Sequence, residues 1–409
     1  MANKTILFVT PELSYSGTPR STLRMCKVAR QIGYNVAIWS AEQGPFEREF
    51  RSQGFSVRIV PFTKLRDQEI IALIKTFDLA VCNTILTDEF ARVSCRYVPT
   101  VWYIREATNV PYFINNEVRR QDWLENSRDI VCVSEYASKA LQQYTKHKIS
   151  IFKNCVEDEA DKYTKVTPGS GQTVRFIQLG TIEYRKGYDV LLQAFQQLPP
   201  PYQKKAELFF AGRIIAPEAD YAQNILQKTE KMDSVTYLGE LTGSDVMKTF
   251  AEMDVVVVAS RDESCSLVAL EGAMMSKPLI VTENVGANYI VKEDNGIIVK
   301  TGSARCLQDS IMRMIDLKES LKDMGNRSRV YYEEMASMDI YRREMEKLFS
   351  RSKRKNSIFF IPECIRNKMI SSEIVFKYRQ NKKRGRKYLL YWFLFGCIRR
   401  GKRLLSFWK

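Results

Sequence analysis

Two glutamates eight positions apart, Glu263 and Glu271, stand in the segment 254–278, DVVVVASRDESCSLVALEGAMMSKP. The valine run 255–258 reads as a strand covered on both faces of a parallel sheet. A short polar loop follows, and then a helix on which Leu267, Leu270 and Met274 keep helical spacing. Ser264 or Ser266 is placed to cap that helix, and Lys277-Pro278 ends it. A helix N-terminus at the carboxyl edge of a parallel sheet binds anions, because unpaired N–H groups and the helix dipole face the ligand. One carboxylate falls in the crevice and the other about a turn into the helix, which suits a ligand with both phosphates and sugar hydroxyls. Two surface glutamates flanking a helix start satisfy the same spacing, so the surrounding elements must decide.

Those elements alternate. Segments 5–10, 35–40, 57–61, 78–82, 100–104 and 129–133 read as strands, with helical stretches such as 20–32 and 136–144 between them. Residues 162–172 are polar, contain Pro168, Gly169 and Gly171, and read as a linker. The rhythm then restarts with strands at 174–179, 207–211, 235–238, 254–258, 279–282 and 296–300. The expectation is an α/β chain of two Rossmann-like, doubly wound domains facing across a cleft: 1–161, the linker 162–172, and 173–350. Ligands in such sheets bind beyond the carboxyl ends of the strands.

Charge is divided unevenly. The chain of 409 residues has a net charge of +16, yet residues 1–350 hold 45 basic and 45 acidic side chains. Residues 351–409 hold 18 Lys/Arg against 2 Asp/Glu. The body is balanced and the excess lies in the tail. Nine cysteines with no CxxC pair argue against a disulfide framework or a structural zinc site and favour a reducing compartment. The opening MANKTILFVTPEL reads as a strand, not a secretory signal, and no stretch reaches the ~18–20 apolar residues that a membrane span needs.

Four segments of the second half carry a resemblance: FIQLGTIEYRKGYDVLLQAFQQL (176–198), VTYLGELTGSDV (235–246), the Glu263–Glu271 loop and helix, and ENVGANYIVKEDNGIIV (283–299). In order and spacing they resemble the donor domain of glycosyltransferase family 4, retaining nucleotide-sugar-dependent enzymes with the GT-B fold. The first half matches more loosely through ILFVTPELSYSGTPRSTL, VCVSEYASKAL and IFKNCVED. The resemblance implies a nucleotide diphosphate-sugar donor, with Glu263 beside the sugar, Glu271 on the ribose hydroxyls and Lys186 on the diphosphate. It sets the backbone of Ser264, Cys265, Ser266 and Leu267 against sugar and phosphates. It adds Gly17, Thr18, Gly180, Thr181, Leu238 and Gly239 to the donor surface. A fixed ammonium and helix N–H groups would stabilise the departing diphosphate. A loop carboxylate such as Glu263 would hold a sugar hydroxyl or balance charge at the anomeric carbon, so that attack and departure share one face.

The departures from the family are specific. Gly180-Thr181 stands where Gly-Arg is usual, so one cation is missing, with Arg185 and Arg213 as substitutes. Gly17-Thr18 replaces a pair of glycines. Arg105 and Glu106, in WYIREA, occupy the place where the family often has a histidine. Arg105 is then a phosphate-stabilising cation, and Glu106 is a base, an acceptor contact or a helix-start residue. The single histidine, His147, reads as a surface residue. No metal or other cofactor is expected, because Lys186 and the helix terminus take a divalent ion's part. The cluster Asp158, Glu159 and Asp161 reads as a solvated charge run.

In the tail, YLLYWFLFGCI (388–398) lies between basic clusters. It suits an interfacial anchor on anionic lipid. Base stacking on Trp392 or Phe393 is a competing reading, as is packing on a protein, but no nucleic-acid motif accompanies it. The resulting expectation is a peripheral enzyme at the cytoplasmic face of the cell membrane, acting on a lipid-linked or surface-polysaccharide acceptor. A non-catalytic binding protein and a sugar-nucleotide epimerase of the same fold are the competing classes.

Overall fold

The computed structural model describes residues 4–116, 123–125, 127, 129–163 and 167–352, all within the unit Met1–Arg354. Strands β1 (Thr5–Thr10), β2 (Asn35–Ser40), β3 (Val57–Ile59), β4 (Leu79–Asn83), β5 (Thr100–Ile104), β6 (Asp129–Cys132) and β7 (Ser150–Ile151) form one sheet in the order β3-β2-β1-β4-β5-β6-β7. Strands β8 (Val174–Leu179), β9 (Ala206–Ala211), β10 (Val235–Tyr237), β11 (Val255–Val258), β12 (Leu279–Thr282) and β13 (Gly296–Val299) form a second in the order β10-β9-β8-β11-β12-β13. The pairing is parallel in both. Two parallel-sheet α/β halves are the GT-B arrangement that the resemblance implies.

Strand order reverses between β1 and β4 and again between β8 and β11, and a ligand crevice opens where it does so. In the second sheet β11 is wedged between β8 and β12, pairing Val256 with Ile177 and Leu279. All four of its valines are buried, so branched side chains fill both faces. The chain leaves β11 at the reversal point and turns into the helix Leu267–Met274. There Ser266, in extended conformation, accepts at Oγ from the Ala269 N–H at 3.3 Å. This N-cap fixes where the helix begins.

The last described helix, Met338–Arg351, leaves the second half. Its Tyr341, Met345, Leu348 and Phe349 are buried in the core of the first sheet beside Phe8 and Tyr103. The segment expected to stay with the second domain through residue 350 thus returns to the first. Two stretches of chain therefore run between the halves, and they touch: the Val156 N–H donates to the Ala336 carbonyl at 3.2 Å, and the Tyr332 hydroxyl to the Val156 carbonyl at 3.1 Å. Among the described residues no helix is long and apolar enough to cross a membrane. Residues 353–409, which carry nearly all of the expected anchor, lie outside the described residues.

Candidate active site

Lys186 and Glu263 meet at the carboxyl ends of β8 and β11. The Lys186 ammonium lies 2.7 Å from Glu263 Oε2, and the two side chains are only 11% and 13% exposed. Lys186 is therefore not a solvated loop lysine. Its stem runs over Gly180, and its carbonyl accepts from Gln178 Nε2 at 3.0 Å. The amide oxygen of the same Gln178 accepts from the Ala259 N–H at 3.0 Å, so one side chain joins the loops that carry both charges. Gly187 lies at φ +70°, and a Cβ there would stand 2.1 Å from the Ala259 carbonyl oxygen. Only glycine lets these loops approach so closely.

Glu263 is held along its length. Ser260 Oγ donates to Oε2 at 3.0 Å, the Glu263 N–H donates to the Asn284 carbonyl at 3.1 Å, and its own carbonyl accepts from the Gly286 N–H at 2.8 Å. Next to it, the Arg261 guanidinium forks onto Asp189 at 2.8 and 2.7 Å, donates to the Tyr184 carbonyl at 2.7 Å and stacks over the Tyr184 ring. Burial alone would raise Asp189, but Arg261 and the Tyr221 hydroxyl together hold its carboxyl below the usual range. Local sequence gives no sign of this Arg261–Asp189 tie, which joins residues 72 apart.

Glu271 lies one turn into the helix behind Glu263. Burial pushes its carboxyl up to about 7, against the pull of the Arg24 guanidinium from the helix Gly17–Gln31. Cys265, between the two serines of the loop, is pushed up to about 11 by burial, with Arg105 pulling the other way. Arg24 and Arg105 thus bring positive charge from the first half to the carboxylate-bearing loop of the second.

On that first wall Arg105 donates from Nη1 to Ser21 Oγ and lies 5.5 Å from the Tyr103 ring centre. Glu106 is turned to the backbone: its Oε2 accepts from the Ile85 N–H at 3.1 Å and the Arg105 N–H at 3.0 Å. Burial raises its carboxyl, and these N–H groups offset part of the rise. Glu106 therefore joins the loops after β4 and β5. Gly17 is exposed with open space where a Cβ would lie, and the Thr18 carbonyl accepts from Asn83 Nδ2 at 3.2 Å.

The remaining expected donor residues are spread around this centre. Thr181 is half-buried, and Leu238 and Gly239 follow β10, Leu238 exposed and Gly239 at φ +79°. Arg185 donates to the Asp262 carbonyl at 2.8 Å and pairs with Glu183 at 2.5 Å. Arg213 is exposed, and its carbonyl receives the Ile182 N–H at 3.0 Å. His147 is half-buried against the Glu125 carbonyl rather than free on the surface. In the acidic cluster Asp158 pairs with Arg329, and Glu159 with Lys162. Among the described residues no three His, Cys, Asp or Glu side chains converge as a metal-holding group.

With this geometry the chain can be set beside known proteins. The family described as "Glycosyl transferases group 1" matches residues 161–331. An "Uncharacterized glycosyltransferase MJ1178" of Methanocaldococcus jannaschii is 25% identical over 209 residues, 50% of this chain and 55% of that protein. The chain spans 55%, 39% and 35% of the first three curated relatives it matches. Among solved structures, Anabaena Alr3699/HepE in complex with UDP superposes with a TM-score of 0.74 at 16% identity, covering 85% of this chain and 100% of that one. The same protein with UDP-glucose gives 0.70 at 17% identity, over 85% and 99%. A glycosyltransferase from Rickettsia africae gives 0.73 at 17% identity, over 87% and 100%. These structures share the fold, and the matched segment contains Lys186, Glu263 and Glu271. Over residues 161–331, the chain is similar to the glycosyl transferases group 1 family.

Proposed function

We propose that this protein transfers a sugar, with retention of anomeric configuration, from a nucleotide diphosphate donor to a lipid-linked or surface-polysaccharide acceptor. The observation that carries this reading is the Lys186–Glu263 pair, 2.7 Å apart at the reversal point of the second sheet and beside the capped start of the helix Leu267–Met274. A diphosphate is a stronger partner for the ammonium than one carboxylate. Its arrival turns Lys186 to the leaving group and Glu263 to the sugar. Helix N–H groups then stabilise the charge that develops on the departing diphosphate. Arg105 and Arg24, on the opposite wall, add cations facing the same centre. The reading requires no divalent ion, since Lys186 and the helix terminus take that part. The structural neighbour crystallised with UDP and UDP-glucose supports a uridine donor. The basic tail would hold the enzyme on anionic lipid at the cytoplasmic face, where such acceptors are made.

One observation favours a second reading, a nucleotide-sugar-binding protein without turnover. Thr181 supplies no cation, Arg185 is engaged with Glu183 and the Asp262 carbonyl, and Arg213 is exposed. A thermal-shift screen of nucleotide sugars identifies the donor, and release of free sugar from it without acceptor separates the readings. Turnover that disappears in Glu263→Ala and Lys186→Ala supports transfer. Tight binding with no release, or unchanged turnover in both variants, defeats it.

A further inference from the structure

Glu263 is flanked by two residues that the first half of the chain grips. Asp262 receives one hydroxyl on each carboxylate oxygen: Thr108 Oγ1 donates to Oδ2 at 2.6 Å, and the Tyr136 hydroxyl to Oδ1 at 2.9 Å. On the other side Ser134 Oγ donates to the Ser264 carbonyl at 2.6 Å. Thr108 follows β5, and Ser134 and Tyr136 follow β6, so the donors come from two adjacent strand ends of the first sheet. Gly286 makes room for the contact: a Cβ there would stand 1.9 Å from the Ser264 carbonyl oxygen and 2.4 Å from Ser134 Oγ. Gly286 also donates its N–H to the Glu263 carbonyl. The same glycine thus supports the loop from within the second half and admits the hydroxyl from the first.

We infer that Asp262 is a positioning residue: Thr108 and Tyr136 hold its carboxylate so that approach of the first half sets the register of Glu263. Asp262 turns both carboxylate oxygens to the opposite wall, and its carbonyl accepts from Arg185. A hydrogen bond from a neutral hydroxyl to a carboxylate in this partly buried site is stronger than a neutral pair. Burial and the bond to Asp262 both hold the Tyr136 phenol in its protonated, donating form. Loss of both hydroxyls leaves a carboxylate without these partners and frees the loop between Ser260 and Ser266.

The kinetic part of this inference rests on the proposed transfer reaction, and the structural part does not. In the full-length protein, the Tyr136→Phe/Thr108→Val double variant is compared with the parent in two ways. First, the labelling rate of Cys265 by a neutral alkylating agent is followed by peptide mapping. Cys306, a half-buried thiol on the helix Ala304–Asp316, serves as the reference in the same molecule. The double variant labels Cys265 about tenfold faster, with Cys306 unchanged. Second, sugar transfer shows kcat lowered about tenfold with donor KM within about twofold, as expected when an interaction that matters only in the transition state is lost. Adding Asp262→Ala to the double variant produces no further change, because the three residues act as one unit. Unchanged Cys265 labelling overturns the inference, as does additive loss in the triple variant. Faster Cys265 labelling in the double variant, with a parent chain that transfers no sugar, upholds the contact and overturns the proposed reaction instead.

Discussion

The two walls of the cleft are built differently. On the second-half wall each group is fixed by several others: Lys186 by Glu263, Gln178 and Gly180, and Glu263 by Ser260, Asn284 and Gly286. On the first-half wall, among the described residues, Arg105 reaches the Ser21 hydroxyl and the Tyr103 ring, Gly17 opens on unfilled space, and Asn83 Oδ1 is buried without a hydrogen-bond partner. A rigid wall holds a constant partner, and a looser one leaves room for whatever the protein must accept. In the proposed reaction the donor falls to the first kind and the acceptor to the second.

The comparison can be broken most directly at Lys186. Lys186→Met leaves Glu263 without its ion-pair partner and removes the cation proposed for the leaving group. Transfer should fall by about 10²–10³-fold in kcat, the scale for loss of one charge-stabilising group. An effect below about tenfold would remove the distinction between the walls. Gly187→Ala tests the fixed wall without touching a charge. The positive φ and the clash with the Ala259 carbonyl should together cost about 2–4 kcal/mol, seen as a lower first thermal transition.

Glu271 sharpens the comparison through pH. Its folded-state value of about 7 lies above that of an ordinary glutamate, so the folded chain keeps a proton that the unfolded chain releases. Stability from this group is fully present below pH ~4.5 and is lost as pH rises to about 7. If Glu271 holds the donor's ribose as proposed, donor affinity should run the other way, since the carboxylate form accepts from hydroxyls. Affinity should weaken by up to about tenfold per pH unit below about 7, and Glu271→Gln should flatten both trends. The smallest effect is expected at Glu106. Glu106→Gln keeps an oxygen for the Ile85 and Arg105 N–H groups, so kcat should change by less than about threefold, on the scale of one neutral hydrogen bond. A loss above about 10²-fold would make Glu106 the base that deprotonates the acceptor.

The second wall is more legible in the sequence than the first, for physical reasons. The valine run 255–258, the serine cap and the glutamate spacing are local patterns, and local patterns survive in a single chain. The structure places Lys186 against Glu263, 77 residues away, a contact that no local pattern displays. The edge strand β7 has two residues and no periodicity to read. The grip on Asp262 joins residues 126 and 154 positions apart, and nothing in the loop itself announces it. One signal was available: Ser134 after β6 occupies the same place as Ser266 after β11, a serine at a strand-to-helix turn whose hydroxyl caps the helix. Arg105 and Glu106 were legible as substitutions, but the division of labour between them depends on backbone N–H groups that sequence does not display.

The return of the helix Met338–Arg351 to the first sheet bears on how the molecule is made. Tyr341, Met345, Leu348 and Phe349 complete a core whose first strand begins at Thr5. During synthesis from the N-terminus that core lacks this helix until Phe349 has been translated, whereas the second sheet has all its strands by Val299. The half that is begun first is therefore finished last, and its apolar face stays in need of cover throughout elongation.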